Sequence, residues 1–378
     1  MLTKLTMLRT RPGLVLLGLT VLLSAAVVHT QGQRTFDIYS IDVEGGQSTL
    51  FVSPSGETLL IDAGNPGDRD ADRIAAVAKQ AGVTQIDYLL VTHYDGDHVG
   101  GVKDLSSRLP IRTFVDHGPR VPPPGAPALT PEAQANIDRV DRAYQDAREK
   151  GRHLEVNAGD VVPIRGLDVR VVSSKGKVIT RPVSAGATPN PLCGAFVQHP
   201  LDASENIYSV GVVIGAFDRF RMLDLGGLTW NTEHDLVCPN NLLGNIDLYL
   251  TTHHGLARSG PPALVHATRP RVVLMNNGPQ KGDSRETWTT LKASPGLEDI
   301  WQLHYSVQRP AAVRFEEQAA PGGPDANAPE AFIANLGDVE PTHTPVYALK
   351  VSVRSDGGFT VTNTRTGFSK DYKATSSR

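Results

Sequence analysis

An apolar run, Ile86-Asp87-Tyr88-Leu89-Leu90-Val91, passes without a break into Thr92-His93-Tyr94-Asp95-Gly96-Asp97-His98. The run reads as a buried strand, and the Val99-Gly100-Gly101-Val102 that follows, with Asp104 and Leu105, reads as the first turn of a helix. One short strand-to-helix loop therefore carries two imidazoles and two carboxylates. Side chains alternate along an extended segment, so His93, Asp95 and Asp97 are expected on one side, with His98 turning in as the helix begins. Neutral imidazole together with carboxylate oxygen suits zinc, manganese or iron(II). A solvated turn rich in Asp and Gly is the plain alternative.

Two later clusters share this placement. Phe220-Arg221-Met222-Leu223-Asp224 ends an apolar run on an acid, and Ile246-Asp247-Leu248-Tyr249-Leu250-Thr251-Thr252 delivers His253-His254-Gly255. They lie 126 positions beyond His98 and 29 beyond Asp224, so only tertiary folding gathers them. Loops at strand ends are where a sheet builds a site.

The first loop resembles the signature of the metallo-β-lactamase superfamily, His-x-His-x-Asp-His after a strand, with Asp95 in place of the second His. That variant is similar to the soluble metallo-hydrolase domain of the bacterial DNA-uptake competence channel and its stand-alone relatives. The resemblance extends through residues 36–43, 47–52 and 57–64 as opening antiparallel strands. Its implied fold is α/β, a four-layer αββα sandwich. It implies a metal set of His93, Asp95, Asp97, His98, Asp224, His253 and His254, with Asp62 supporting the ligand loop by hydrogen bonding. Asn206 and Ser209 match an Asn and Ser that the competence group carries where other members have a third metal-binding His, which makes one metal site the weaker. The group's Gly-Gln-Gly-Asp tetrad is here Glu44-Gly45-Gly46-Gln47-Ser48, Leu223 replaces a Gly, and Leu256 replaces a Ser. The role of Lys281 and Asp283, after the strand at residues 271–275, is open.

The ligand types imply a mechanism. One or two divalent metals, zinc or else manganese or iron, would acidify a bound water, whose hydroxide is the nucleophile, and would polarise the substrate oxygen. The expected division puts His93, Asp95 and His253 or His254 on one metal, Asp97 and His98 on the other, and Asp224 between them. Asp97 also counts as catalytic. His117 follows the strand Ile111-Arg112-Thr113-Phe114-Val115-Asp116 and is read as a substrate contact or proton donor, or else as a structural histidine. His153, His199, His234, His266, His304 and His343 fall outside any ligand spacing.

The N-terminus bears on location. Lys4, Arg9 and Arg11 precede the apolar stretch from Leu14 to Val28, the pattern of an export signal over residues 1–30. A periplasmic or secreted chain of residues 31–378 is expected, an uncleaved anchor being the alternative, and no later stretch is long and apolar enough to span a membrane. Three of the 37 Lys plus Arg lie in the first thirty residues, leaving 34 against 40 Asp plus Glu and a net charge near −6. No basic run interleaved with aromatics points to a nucleic-acid surface. Cys193 and Cys238 stand in a compartment that permits a disulfide; pairing and two free thiols are both open.

One catalytic domain accounts for residues 31–378, with an inserted helix at about 130–152, either a lid or a packing helix, and an irregular Ala/Pro/Gly-rich loop at about 317–345. Residues 346–353 and 359–364 flank Ser355-Asp356-Gly357-Gly358 as a hairpin. The resulting reading is an exported metal-dependent hydrolase, first of a phosphodiester, as its two-metal site and resemblance imply. A lactam, lactone or thioester hydrolase is the second reading, and an exported binding protein that has lost turnover is the third.

Overall fold

Strand periodicity organises the first half of the chain. In the computed structural model, β1 (Phe36–Ser40), β2 (Thr49–Val52), β3 (Thr58–Ile61), β4 (Ile86–Leu90), β5 (Ile111–Asp116) and β6 (Arg152–Glu155) form one sheet in that order. Described residues are 1–2, 35–183, 187–307, 326–337 and 346–375; the signal expected over 1–30 otherwise lies outside them. Phe36, Ile38, Phe51, Leu59, Ile61 and Leu90 point into one buried cluster. Their neighbours Tyr39, Leu50, Leu60 and Leu89 point into another on the opposite face. A sheet apolar on both faces needs two covers.

One cover is helical. It consists of α1 (Asp68–Gln80), α2 (Gly96–Val99), α3 (Val102–Ser106) and α4 (Pro131–Arg148), which supply Ile74, Val99, Leu105 and Tyr144 to the outer cluster. The helix expected over residues 130–152 is α4. Thr130 caps it by accepting the Ala133 N–H at 3.2 Å, with Pro131 in the first turn. Its buried Val140, Tyr144 and Ala147, and the edge contact of Tyr144 with Phe114 at 6.2 Å, make it a packing helix of this layer.

The other cover is a second sheet. It contains β7 (Val161–Val162), β8 (Asp168–Ser174), β11 (Gly211–Ala216), β12 (Phe220–Asp224), β14 (Leu248–Leu250), β15 (Val272–Met275), β16 (Asp299–His304) and β17 (Ile333–Asn335). The short strand β9 (Lys177–Val178) pairs with β8, and β10 (Thr188–Pro189) with β13 (Asn240–Asn241). Val169, Val212, Met222, Leu248 and Leu274 meet the inner face of the first sheet. On the outer face, α5 (Trp230–Asp235), α6 (Pro262–Thr268) and α7 (Arg285–Lys292) cover Leu223, Tyr249 and Val273. The layers run helix, sheet, sheet, helix, as the sequence leads one to expect.

The C-terminal hairpin forms as read: β18 (Leu349–Val353) pairs with β19 (Phe359–Asn363), β20 (Ser369–Tyr372) follows, and β18 docks on β1. The irregular loop expected over 317–345 is corrected in part. Its described residues, 326–337, contain a 3₁₀ turn at Glu330–Phe332 and strand β17, parallel to β16. Ile333 and Ala334 are buried there, and an exposed edge of β16 would otherwise carry unpaired backbone groups.

Cys193 and Cys238 form a disulfide, with Cα atoms 5.7 Å apart. It clamps the loop before β11 to the segment after α5. Closing a separation of 45 residues restricts the unfolded chain by about 4 kcal/mol on loop entropy. Reduction is expected to lower unfolding free energy by that order, read by urea titration with and without reductant. Two titratable thiols in the denatured, unreduced chain would refute the bridge.

Candidate metal centre

The ligand loop is held from below by one buried acid. Asp62, at the end of β3 with φ 59°, accepts the Thr92 N–H and the Thr92 hydroxyl, each at 2.7 Å. His98 Nδ1 lies 2.7 Å from its Oδ2. A carboxylate only accepts, so Nδ1 carries the hydrogen and Nε2 keeps its lone pair. His93 Nδ1 rests 3.0 Å from the Thr92 hydroxyl. Both imidazoles are thereby fixed, with ring centroids 4.0 Å apart.

Beyond Asp95 the chain leaves the extended path. Asp95 caps α2, which starts at Gly96, so the alternation expected to align His93, Asp95 and Asp97 stops, and the loop splits into two sets. Asp95 Oδ2 lies 3.6 Å from His93 Nε2. Asp97 Oδ2 lies 3.4 Å from His98 Nε2 and 3.2 Å from His254 Nε2. The ligand atoms of Asp97, His98 and His254 all fall within 4.8 Å of one another. His254 thus stands with Asp97 and His98, which leaves His253 as the member of the pair for the His93 and Asp95 set.

The paired histidines sit on a tight turn after β14. His253 and His254 both have positive φ, 53° and 58°, a costly conformation for side chains of this type. It is held by the His253 N–H donating to Gly226 at 2.8 Å and by Asp283 and Ser284 donating to the carbonyls of His254 and Gly255. His254 is fully buried and neither ring nitrogen has a hydrogen-bond partner. His253 is nearly buried, with Nδ1 3.4 Å from the Ser259 hydroxyl. Burial, with Lys281 beside it, pushes the His254 pKa down to about 3. Burial and the neighbouring His254 hold His253 well below the usual range. Both rings are neutral, the form that binds a metal.

Asp224 ends β12 and faces the turn after β1. Its Oδ2 accepts from Gln47 Nε2 at 2.8 Å and its Oδ1 from the Gly226 N–H at 3.0 Å. Gln47 is braced in turn by Asn276, at 3.3 Å. Burial, reinforced by the charge of Asp62, raises Asp224 to about 7. In the Asp97 set, burial opposes the charge of Asp97, but Lys281, His98 and His254 outweigh it and hold the carboxylate well below its normal range. The same opposition, won by His93, keeps Asp95 low.

Asn206 and Ser209 flank the first set. The Ser209 hydroxyl accepts the Gly227 N–H at 3.1 Å, and Asn206 Nδ2 donates to Ser204. Asn206 Oδ1 is buried without a partner. A Cβ at Gly227 would lie 2.3 Å from that oxygen and 3.0 Å from His93 Nε2, so only glycine leaves the two atoms room to face each other. His117 is placed elsewhere. Its Nε2 bonds Glu205 at 2.9 Å, its ring packs on Tyr94 with centroids 4.3 Å apart, and Arg120 lies 3.4 Å from the other oxygen of Glu205. That network satisfies the His117 ring and accounts for its burial.

Two residues of the centre had no role in the sequence reading. Gln47, in the turn whose acid is displaced, holds Asp224, and Lys281 Nζ reaches Asp97 Oδ2 at 2.5 Å. The signal for Gln47 was its place in the altered tetrad; for Lys281 there was none beyond a strand end. Two other groups have metal-type spacing. Cys193 and Cys238 are joined to each other, and Asp42, Glu44 and His304 share Arg73, 3.3 and 3.2 Å from the two acids, an ion network.

The donors of the two sets are nitrogen and oxygen, both ring nitrogens of His254 lack a hydrogen-bond partner, and an amide oxygen faces His93 unpaired. These residues fit a divalent cation. The metallo-beta-lactamase superfamily model matches residues 41–191.

Residues 41–191 carry a metallo-β-lactamase superfamily domain.

The model's match runs from β2 to β10 and takes in α1 to α4, and Asp224, His253 and His254 lie beyond it. Among relatives of this superfamily domain, hydroxyacylglutathione hydrolase of Rhodopseudomonas palustris (strain BisB5) is 32% identical over 125 residues, 33% of this chain and 36% of the relative. ComE operon protein 3 of Bacillus subtilis (strain 168) is 23% identical over 205 residues, 52% of this chain and 20% of the relative. That likeness fits the competence-type form of the ligand loop. Ribonuclease Z of Methanopyrus kandleri is 36% identical over 135 residues, 35% of this chain and 40% of the relative. The matches span well under half the length of these relatives.

Proposed function

We propose that this chain is a metal-dependent hydrolase. The observation that carries the reading is the meeting of Asp97, His98 and His254 within 4.8 Å, with neutral, unpartnered His254 beside an ionised carboxylate. A divalent cation bound there would supply Lewis acidity and an acidified water. Asp97, His98 and His254 would hold one ion, and His93, Asp95 and Asn206 would form the weaker set. Asp62 keeps His98 in the ligating tautomer, and Gln47 fixes the carboxylate of Asp224. Aspartate at position 95 favours hard ions, so zinc shares the field with manganese and iron.

A phosphodiester is the leading substrate class, supported by the ribonuclease and the competence-type relative. A thioester or lactone is the second reading. It is supported by the hydroxyacylglutathione hydrolases and by an apolar cavity of about 200 Å³ between Leu192, Phe196, Trp230 and Pro262. The cavity's lining residue Pro261 lies two positions after Ser259, whose hydroxyl stands 3.4 Å from His253 Nδ1. Export rests on the basic and apolar pattern of residues 1–30; among the described residues no helix is long and apolar enough to cross a membrane.

The deciding experiment is metal content per chain, by mass spectrometry, on protein purified without chelator or added metal. One to two equivalents of zinc, manganese or iron are expected, together with turnover of bis(p-nitrophenyl) phosphate in preference to acyl thioesters. A content near zero that those metals fail to restore would overturn the hydrolase reading and favour a binding protein.

A further inference from the structure

Three nitrogens converge on a single oxygen, Oδ2 of Asp97. His254 Nε2 stands at 3.2 Å, His98 Nε2 at 3.4 Å and Lys281 Nζ at 2.5 Å. Two of them are imidazoles of the kind that ligate metals. The third is an ammonium, which has three donors and no lone pair while charged. A divalent ion drawn between His98, His254 and this oxygen would meet that positive charge at short range, where like charges repel strongly because solvent screening is incomplete.

The lysine is built into its place. Residues 278–281 form a turn closed by the Gly278 N–H donating to the Lys281 carbonyl at 2.9 Å. A Cβ at Gly45 would come within 3.0 Å of Lys281 Cβ, so the turn after β1 presses on the base of the side chain. Gly282 and Asp283, next in sequence, pack on the His254 carbonyl, with the Asp283 N–H bonded to it at 3.1 Å. The backbone that carries the ammonium is thus the backbone that braces His254. The side chain remains one-third exposed, which leaves it a way out to solvent.

We infer that Lys281 is a resident counter-cation of Asp97 that competes with the metal, so that occupation of the Asp97–His98–His254 set requires its ammonium to withdraw. The inference rests on the hydrolase reading for the identity of the set. It concerns the metal affinity of that set, which Lys281 lowers while neutralising a half-buried carboxylate in the metal-free chain.

The test is a chelator competition on the full chain, stripped with EDTA and titrated with Zn²⁺ or Mn²⁺ at pH 7.5. Lys281→Met keeps the packing of the stem and removes the charge; Lys281→Arg keeps the charge. Lys281→Met is expected to bind at least tenfold more tightly than wild type, and Lys281→Arg within threefold of it. Thermal unfolding of the stripped proteins adds a second readout: Lys281→Met should melt lower than wild type without metal and recover with it. Equal or weaker metal binding by Lys281→Met, with wild type binding normally, overturns the inference and leaves the hydrolase reading intact. Binding by Lys281→Met where wild type binds none supports it, whereas no binding by any of the three chains overturns both.

Discussion

Asp97→Ala is expected to empty the Asp97–His98–His254 set and to lower kcat/KM at least a thousandfold, equivalent to about 4 kcal/mol of transition-state stabilisation. The size follows from the geometry. Asp97 supplies the only anionic oxygen within 3.4 Å of both His98 and His254 among the described contacts, and two neutral imidazoles hold a hard divalent ion poorly without it. The substitution also leaves Lys281 facing His254 with no carboxylate between them, which adds repulsion against any incoming cation. Loss of fold is a poor rival explanation, because the Asp97 side chain is 23% exposed and its partners are the polar groups of the centre. Metal content, kcat/KM on the best substrate and the unfolding midpoint are to be measured together. Retention of metal and turnover would remove Asp97 from the centre, and a drop of more than about 8 °C in the midpoint would make the activity loss a folding effect.

Much of this architecture was legible because period-two burial is written locally. Ile38, Phe51, Leu59 and Leu90 alternate with Tyr39, Leu50, Leu60 and Leu89 between the two sheet faces, and a reader of alternation needs only neighbouring residues. The ends of those strands are legible for the same reason, and the ligand loop, Asp224 and the His253–His254 turn lie at such ends. Which residues meet there is a different kind of fact. Gln47 reaches Asp224 across 177 positions and Lys281 reaches Asp97 across 184, and no local pattern encodes a contact between turns of two different sheets. The expected alignment of His93, Asp95 and Asp97 on one side failed for a local reason as well, since helix α2 starts at Gly96, inside the loop, and turns Asp97 away from Asp95. Strand β17 was hidden by its length, three residues amid Ala and Pro, and exists because β16 offers an edge to pair with. His117, read as donor or as structural group, bonds Glu205 across 88 positions, another contact that no local pattern encodes.

Buried acids predict how the metal-free protein responds to pH. Burial raises Asp224 to about 7, Glu233 to about 8 and Asp283 to about 8. Glu233 has no solvent exposure, one oxygen accepting the Gly260 N–H at 2.8 Å and the other without a partner. In the unfolded chain these groups release their protons near pH 4, so between pH 4 and 8 the folded state holds more protons, and stability falls as pH rises through the folded values. His254, lowered to about 3, acts in the opposite sense, with stability rising as pH climbs from 3 to 6.5, and its effect is spent above that range. The window from pH 6.5 to 8.5 therefore frees the acids from His254; His98, which burial lowers but Asp97 and Asp62 raise overall, adds to their fall. Near pH 7 their combined slope approaches about 3 kcal/mol per pH unit, each fully protonated group contributing about 1.4. Glu233→Gln keeps the shape and the acceptor for Gly260 while removing the proton that must be held. Urea unfolding of chelator-treated protein at pH 6.5, 7.5 and 8.5 should show wild-type stability falling steeply and the Glu233→Gln slope reduced by about one third. The divergence of the two curves matters most. The carboxylic acid and the amide should be nearly equivalent only below about pH 4.5, where the unfolded Glu233 is protonated too, and between pH 6.5 and 8.5 the variant should gain about a further 2 kcal/mol on wild type. Parallel curves would mean that Glu233 is ionised in the folded protein, with the compensating cation or water lying against its unpartnered Oε1.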